Sequence, residues 1–166
     1  MKKIVTVISL LLIMCLLFTA CGEFSGGSTG GSTGGSTKNE SEFFDLVSDT
    51  QVLLDEYADD IYICWHDCIF NDKYSNNIDN AILAAMIMNL DNIEIIEANN
   101  EQIKELYKKV KDGKLESEVK DVMHAYNDYY ALVMEVSGSF LSFSSSKETL
   151  KKELSSALKN LEFELD

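Results

Sequence analysis

The chain has 166 residues, with 14 Lys, no Arg, 28 Asp plus Glu and no Pro, for a formal charge of −14 at pH 7. That length fits one domain, and the acidic excess leaves no basic surface to displace counterions from phosphates, which excludes nucleic acid and disfavours an anionic membrane surface as partners. A hydrophobic fraction of 46%, with seven Tyr, eight Phe and one Trp, supplies a packed core and argues against disorder over most of the length.

Residues 1–20 read as an address. Lys2 and Lys3 precede an apolar run from Ile4 to Phe18, and small residues follow at once, the order of a secretory signal. The run is too short for a retained membrane span and lacks a basic stop-transfer cluster behind it. Phe18-Thr19-Ala20-Cys21 then resembles the lipobox of bacterial prolipoproteins, with Phe18 standing where Leu is commoner. The resemblance covers four residues of the leader. It implies that Cys21 receives a diacylglyceryl thioether, becomes the first residue of the mature chain and anchors it to the extracytoplasmic face of the cell membrane. Two acyl chains, at about 0.8 kcal/mol per buried methylene, make that residence effectively permanent.

Residues 21–41 read as a tether. Three perfect copies of Gly-Gly-Ser-Thr fill positions 26–37, with no apolar side chain to bury, and merge into Lys38-Asn39-Glu40-Ser41. Such a linker reaches ~20–25 Å, enough to lift a domain off the headgroups without fixing its orientation.

Residues 42–166 carry 11 Lys against 26 acids, and their apolar residues recur at spacings of three and four, the period of helix. With Ser41 as N-cap, a first helix to about Phe70 places Phe43, Val47, Leu54, Ala58, Ile61, Trp65 and Cys68 on one face and Asp45, Asp49, Glu56, Asp60 and Asp67 opposite. The turn formers of 71–77 end it. A second helix from Ile78 aligns Ala81, Ile82, Ala85, Met86, Asn89, Ile93 and Ile96, and is predicted to break or kink at Asn99-Asn100. A shorter piece through Ile103, Leu106, Tyr107 and Val110 ends in Lys108, Lys109, Lys111 and Gly113, as helix C-termini do. A third long helix runs from Leu115 through Val119, Val122, Tyr126, Tyr129, Tyr130, Val133 and Phe140 to about Phe143, with Gly138 its weak point. Ser145 and Glu148 offer a capping box for a last helix through Leu150, Leu154, Leu158, Leu161 and Leu165. The fold class is all-α, an antiparallel up-down four-helix bundle or a less regular helical array.

Chemistry-bearing residues are few. Cys64 and Cys68 lie one helical turn apart: two readings stand, buried thiols and an intrahelical disulfide, the second favoured by an oxidising compartment. A metal at these thiols would need two further ligands, and His66 points away from them, so no metal and no cofactor are assigned. His124 belongs to a polar face. The acids of 72–79 lack the central Gly and closing Glu of a calcium loop. No nucleophile triad, zinc motif or phosphate loop appears, so the reading is non-enzymatic. Asn89, Tyr126, Tyr129 and Tyr130 fall on core faces, where they either satisfy one another or line a small polar ligand cavity. Tyr62, Phe70 and Tyr74, at the edge and end of the first helix, are the aromatics least committed to the core and the candidate anchors for a partner. The expectation is a membrane-anchored lipoprotein that acts as a protein-interaction module toward a cationic protein partner, with self-protection or immunity an attractive subtype. The alternative is a small-ligand or metal binder using the bundle interior.

Overall fold

The computed structural model describes residues 34–165, and every regular element among them is helical. The signal segment, Cys21 and the tether up to residue 33 lie outside the described residues. Helix α1 spans Gly34–Phe70, followed by a single 3-10 turn at Tyr74–Asn76; α2 spans Ile78–Met88, α3 Leu90–Val110, α4 Glu116–Met134 and α5 Phe140–Leu165.

Helix α1 is the axis of the domain: α2, α3, α4 and α5 all pack on it, and α4 also packs along α5. Its predicted stripe is the core, since Phe43, Val47, Leu54, Ala58, Ile61, Trp65 and Cys68 are all buried, joined by Tyr57 and Cys64. Between Val47 and Leu54 the stripe is polar, and there the side chains find specific partners, two of them on other helices. Thr50 Oγ1 donates to the Leu46 carbonyl at 2.6 Å and accepts from Asn99 Nδ2 at 3.1 Å, while Gln51 Nε2 donates to Ser155 Oγ at 2.7 Å. Thr50 and Gln51 thus each have a partner, so their desolvation is offset.

The start of α1 differs from the sequence expectation. The helix already runs from Gly34, so Ser41 lies inside it and is not an N-cap, and the last residues assigned to the tether belong to the helix. Without Pro, nothing in 38–42 interrupts the hydrogen-bond ladder, and a Lys38–Glu42 ion pair spans one turn at 3.7 Å. The far end stops as expected. The amides of Asn71 and Lys73 both close on the Asp67 carbonyl, and Asp72, Tyr74, Ser75 and Asn76 take positive φ of 53 to 56°.

The Asn77 side chain caps α2, accepting from the amides of Asp79 at 2.8 Å and Asn80 at 3.3 Å. The predicted break at Asn99-Asn100 falls instead at Asn89, whose backbone (φ −110°, ψ 18°) separates α2 from α3. The reason is tertiary. Asn89 Nδ2 donates to Asp60 Oδ2 of α1 at 2.8 Å and to the Ala85 carbonyl at 3.0 Å, while Asn99 and Asn100 stay helical because Thr50 and Tyr126 occupy their side chains. The cationic end of α3 lies where expected, with Lys108 and Lys109 in its last turn and Gly113 beyond.

The third and fourth predicted helices divide earlier than expected. α4 stops at Met134, Gly138 adopts φ +85°, and Phe140 and Phe143 belong to α5. Ser145 therefore sits inside α5, and the cap is Ser139. The Ser142 amide donates to Ser139 Oγ at 3.2 Å and the Ser139 amide donates to Ser142 Oγ at 3.0 Å, a reciprocal box with Ser in place of Glu.

Candidate binding surface around Trp65

The last three turns of α1 carry Tyr62, Trp65, His66 and Phe70, and the first turn of α5 brings Phe140 and Phe143 against them. Tyr62 and Phe140 rings lie 5.2 Å apart, Trp65 is 5.8 Å from Phe143 and 6.1 Å from Phe140, and His66 is 4.7 Å from Phe70. Trp65 is only 3% exposed, yet its Nε1–H has no acceptor. Phe70, by contrast, is 63% exposed.

The three candidate anchors separate. Tyr62 is half-buried, with Lys147 Nζ 5.1 Å from its ring centre, so it belongs to the α1–α5 seam. Tyr74 is half-buried and donates to Cys64 Sγ at 3.3 Å; that bond, with burial and the surrounding negative charge, pushes its phenol up to about 12. Phe70 alone keeps an open aromatic face.

The four residues expected to line a polar cavity face three different interfaces. Asn89 bonds Asp60 on α1, Tyr126 donates to Asn100 Oδ1 on α3 at 3.3 Å, and Tyr129 donates to Asp55 Oδ1 on α1 at 2.7 Å. Tyr130 is half-buried, its ring 5.8 Å from that of Tyr126. Burial raises the phenols of Tyr126, Tyr129 and Tyr130 above their ordinary value, and for Tyr129 the Asp55 carboxylate adds to it. Satisfied by protein partners, these groups do not converge on one cavity.

Cys64 and Cys68 are both buried and are unbridged in this structure. Both thiols face the core from successive turns of an intact helix, and Cys64 is engaged by Tyr74. Among the described residues no three His, Cys, Asp or Glu side chains group as a metal site, and no helix is long and apolar enough to cross a membrane.

The residues that sequence periodicity misplaced are on α2. Its inner face packs Ala81 and Ala85 on α1, but Ile78 and Met86, expected inside, are 44% and 42% exposed, and Leu83, Ile87 and Met88 are more open still, as is Leu90 at the start of α3. A hollow of about 480 Å³ lies between Ile78, Asp79, Ile82, Leu83 and Met86 on one side and Val136, Ser137 and Gly138 on the other, with Trp65 in its lining. One signal in the sequence pointed here. Between Asp79 and Asp91 no residue is charged, and a helix apolar all round is either wholly buried or covered by something else.

A second, smaller hollow of about 270 Å³ lies between α4 and α5, lined by Glu118, Asp121, Ala157, Asn160, Phe163 and Glu164. Comparison of the chain with protein families, with curated proteins and with solved structures finds no match.

Proposed function

We propose that this is a lipid-anchored extracytoplasmic lipoprotein whose helical domain is a non-enzymatic protein-interaction module. In this reading the domain is an antiparallel four-helix bundle in which α2 and α3 form one bent helix, held to the membrane by lipid on Cys21. The observation that carries the interaction role is α2: a helix with an uncharged middle that leaves Leu83, Ile87 and Met88 more than half exposed beside an aromatic cluster. Contiguous exposed apolar surface of this kind marks interaction sites on soluble domains. A ligand site in the bundle interior draws less support, because Asn89, Tyr126 and Tyr129 already bond protein groups.

The test is a photo-crosslinking amino acid placed at Ile87 in cells carrying the full-length chain, with the same amino acid at Asp45, an exposed position on α1, as the control. A discrete adduct from Ile87 and none from Asp45 is the expected result. Adducts of equal yield from both positions, or from neither, would overturn the reading.

A further inference from the structure

Helix α2 contacts α1 and α3 but neither α4 nor α5, so beside Trp65 the bundle has a seam that is not closed by helix packing. The hollow of about 480 Å³ is that seam. Three independent features describe what closes it. The first is Trp65 itself, which lines the hollow and whose buried indole N–H has no acceptor among the described residues. The second is length: the apolar exposed residues of α2 continue from Ile78 past Leu83 and Ile87 to Met88, about 15 Å along the helix, longer than a compact ligand and matched to nearly three turns of another helix. The third is charge. Asp79 is the one ionisable residue lining the hollow, Asp91 follows the apolar stretch, and the nearby Lys73 is already paired with Asp67 at 2.6 Å.

Resting on the interaction-module reading above, we infer that the seam between α2 and the α4–α5 loop is a docking groove for a cationic amphipathic helix of a partner protein. Apolar side chains of that helix at spacings of three and four enter beside Ile78, Ile82 and Met86, and its flanking Lys or Arg side chains meet Asp79 and Asp91. A second copy of this chain is disfavoured by 11 Lys against 26 acids in each domain, and an anionic bilayer by the same charge.

Trp65 is the only tryptophan, so its fluorescence reports on the groove directly. The full lipidated chain, held in neutral phosphatidylcholine nanodiscs, is titrated with an 18-residue helical peptide free of Trp and Tyr, with Leu on one face and Lys on the other, and with the same peptide carrying Glu for Lys. The expected result is a saturable change in Trp65 emission with the Lys peptide, at least tenfold tighter than with the Glu peptide and weakened by salt. Leu83→Asp, at an exposed position that leaves the core intact, abolishes it, and Asp79→Lys reverses the preference between the peptides. Equal response to both peptides, insensitivity to Leu83→Asp, or an emission change caused by anionic vesicles or by self-association without peptide would each overturn the inference. An Ile87 adduct in cells together with peptide failure overturns this inference alone; loss of the adduct overturns the module reading with it.

Discussion

Tyr129 of α4 donates a 2.7 Å hydrogen bond to Asp55 of α1, whose other carboxylate oxygen takes Lys151 of α5 at 3.0 Å. Three helices thus meet on one carboxylate. Tyr129→Phe removes a bond to a charged acceptor and should cost about 1.5–3 kcal/mol in denaturant unfolding. The pH dependence follows from the direction of the shift. Burial and the Asp55 carboxylate hold the folded phenol above its ordinary value near 10, so folding favours the neutral form. The stability this contributes is intact below the unfolded pKa and is lost as pH rises toward the folded one. Unfolding free energy should therefore fall from about pH 9 to about pH 12, with a shallower slope in Tyr129→Phe; an unchanged slope would show that the phenol does not couple to folding.

Lys147 offers an asymmetric test. Its side chain is buried, pairs with Asp59 and lies over the Tyr62 ring, whereas the Asp59 side chain is 55% exposed. Removing the acid leaves the buried ammonium with only the Glu148 carboxylate, 3.5 Å away, so Asp59→Ala should cost about 2 kcal/mol. Removing the ammonium leaves a carboxylate that water can solvate, so Lys147→Met should stay within about 1 kcal/mol. Thermal unfolding of the two variants checks the order, and the reverse order would mean that Asp59 is the more dependent partner.

Much of the helical pattern was legible because burial follows period. Phe43 through Cys68 and Val119 through Val133 occupy the inner faces that their spacing assigns. What spacing could not decide was which of several equivalent polar residues ends a helix. Asn89 and the pair Asn99-Asn100 have the same intrinsic tendency, and Asp60, Thr50 and Tyr126, remote in sequence, choose between them. Ser139 and Ser145 compete in the same way. The groove was less legible still, because Trp65 sits on the core stripe and its open seam arises from helices that do not touch. Only the uncharged middle of α2 hinted at it.

The α4–α5 junction gives a direct comparison of the two serines. A Cβ on Gly138, at φ +85°, would meet Ser142 Oγ at 3.0 Å, the atom that completes the cap with Ser139. Gly138→Ala should cost about 1–2 kcal/mol, Ser139→Ala about 1 kcal/mol, and Ser145→Ala, inside α5, no more than about 0.5 kcal/mol. Chemical denaturation of the three variants decides it; a Ser145→Ala loss equal to that of Ser139→Ala would move the helix start.

Anchoring is tested by Cys21→Ser. If the proposed anchor on Cys21 is the source of membrane affinity, the unlipidated variant should lose incorporation of labelled palmitate and leave the detergent phase on partition. Persisting label in Cys21→Ser would place the lipid elsewhere.

Phe70 and Tyr74 were indistinguishable by periodicity, and the structure leaves Phe70 exposed and Tyr74 half-buried. Tyr74 holds the turn after α1: with positive φ on a bulky residue, its placement depends on the bond to Cys64, so Tyr74→Phe should lower stability by about 1 kcal/mol and leave partner capture unchanged. Phe70 covers little of the core and is 63% exposed, so Phe70→Ala should leave the melting temperature almost unmoved. If the aromatic end of α1 belongs to the binding surface, Phe70→Ala should also cut the yield of the Ile87 photo-adduct several-fold, because an exposed aromatic beside an apolar strip is the kind of side chain that becomes an anchor when a partner desolvates it. The two measurements separate folding from binding: a matched loss of melting temperature and adduct would return Phe70 to the fold, and an unchanged adduct would confine the binding surface to α2 and the seam beside Trp65.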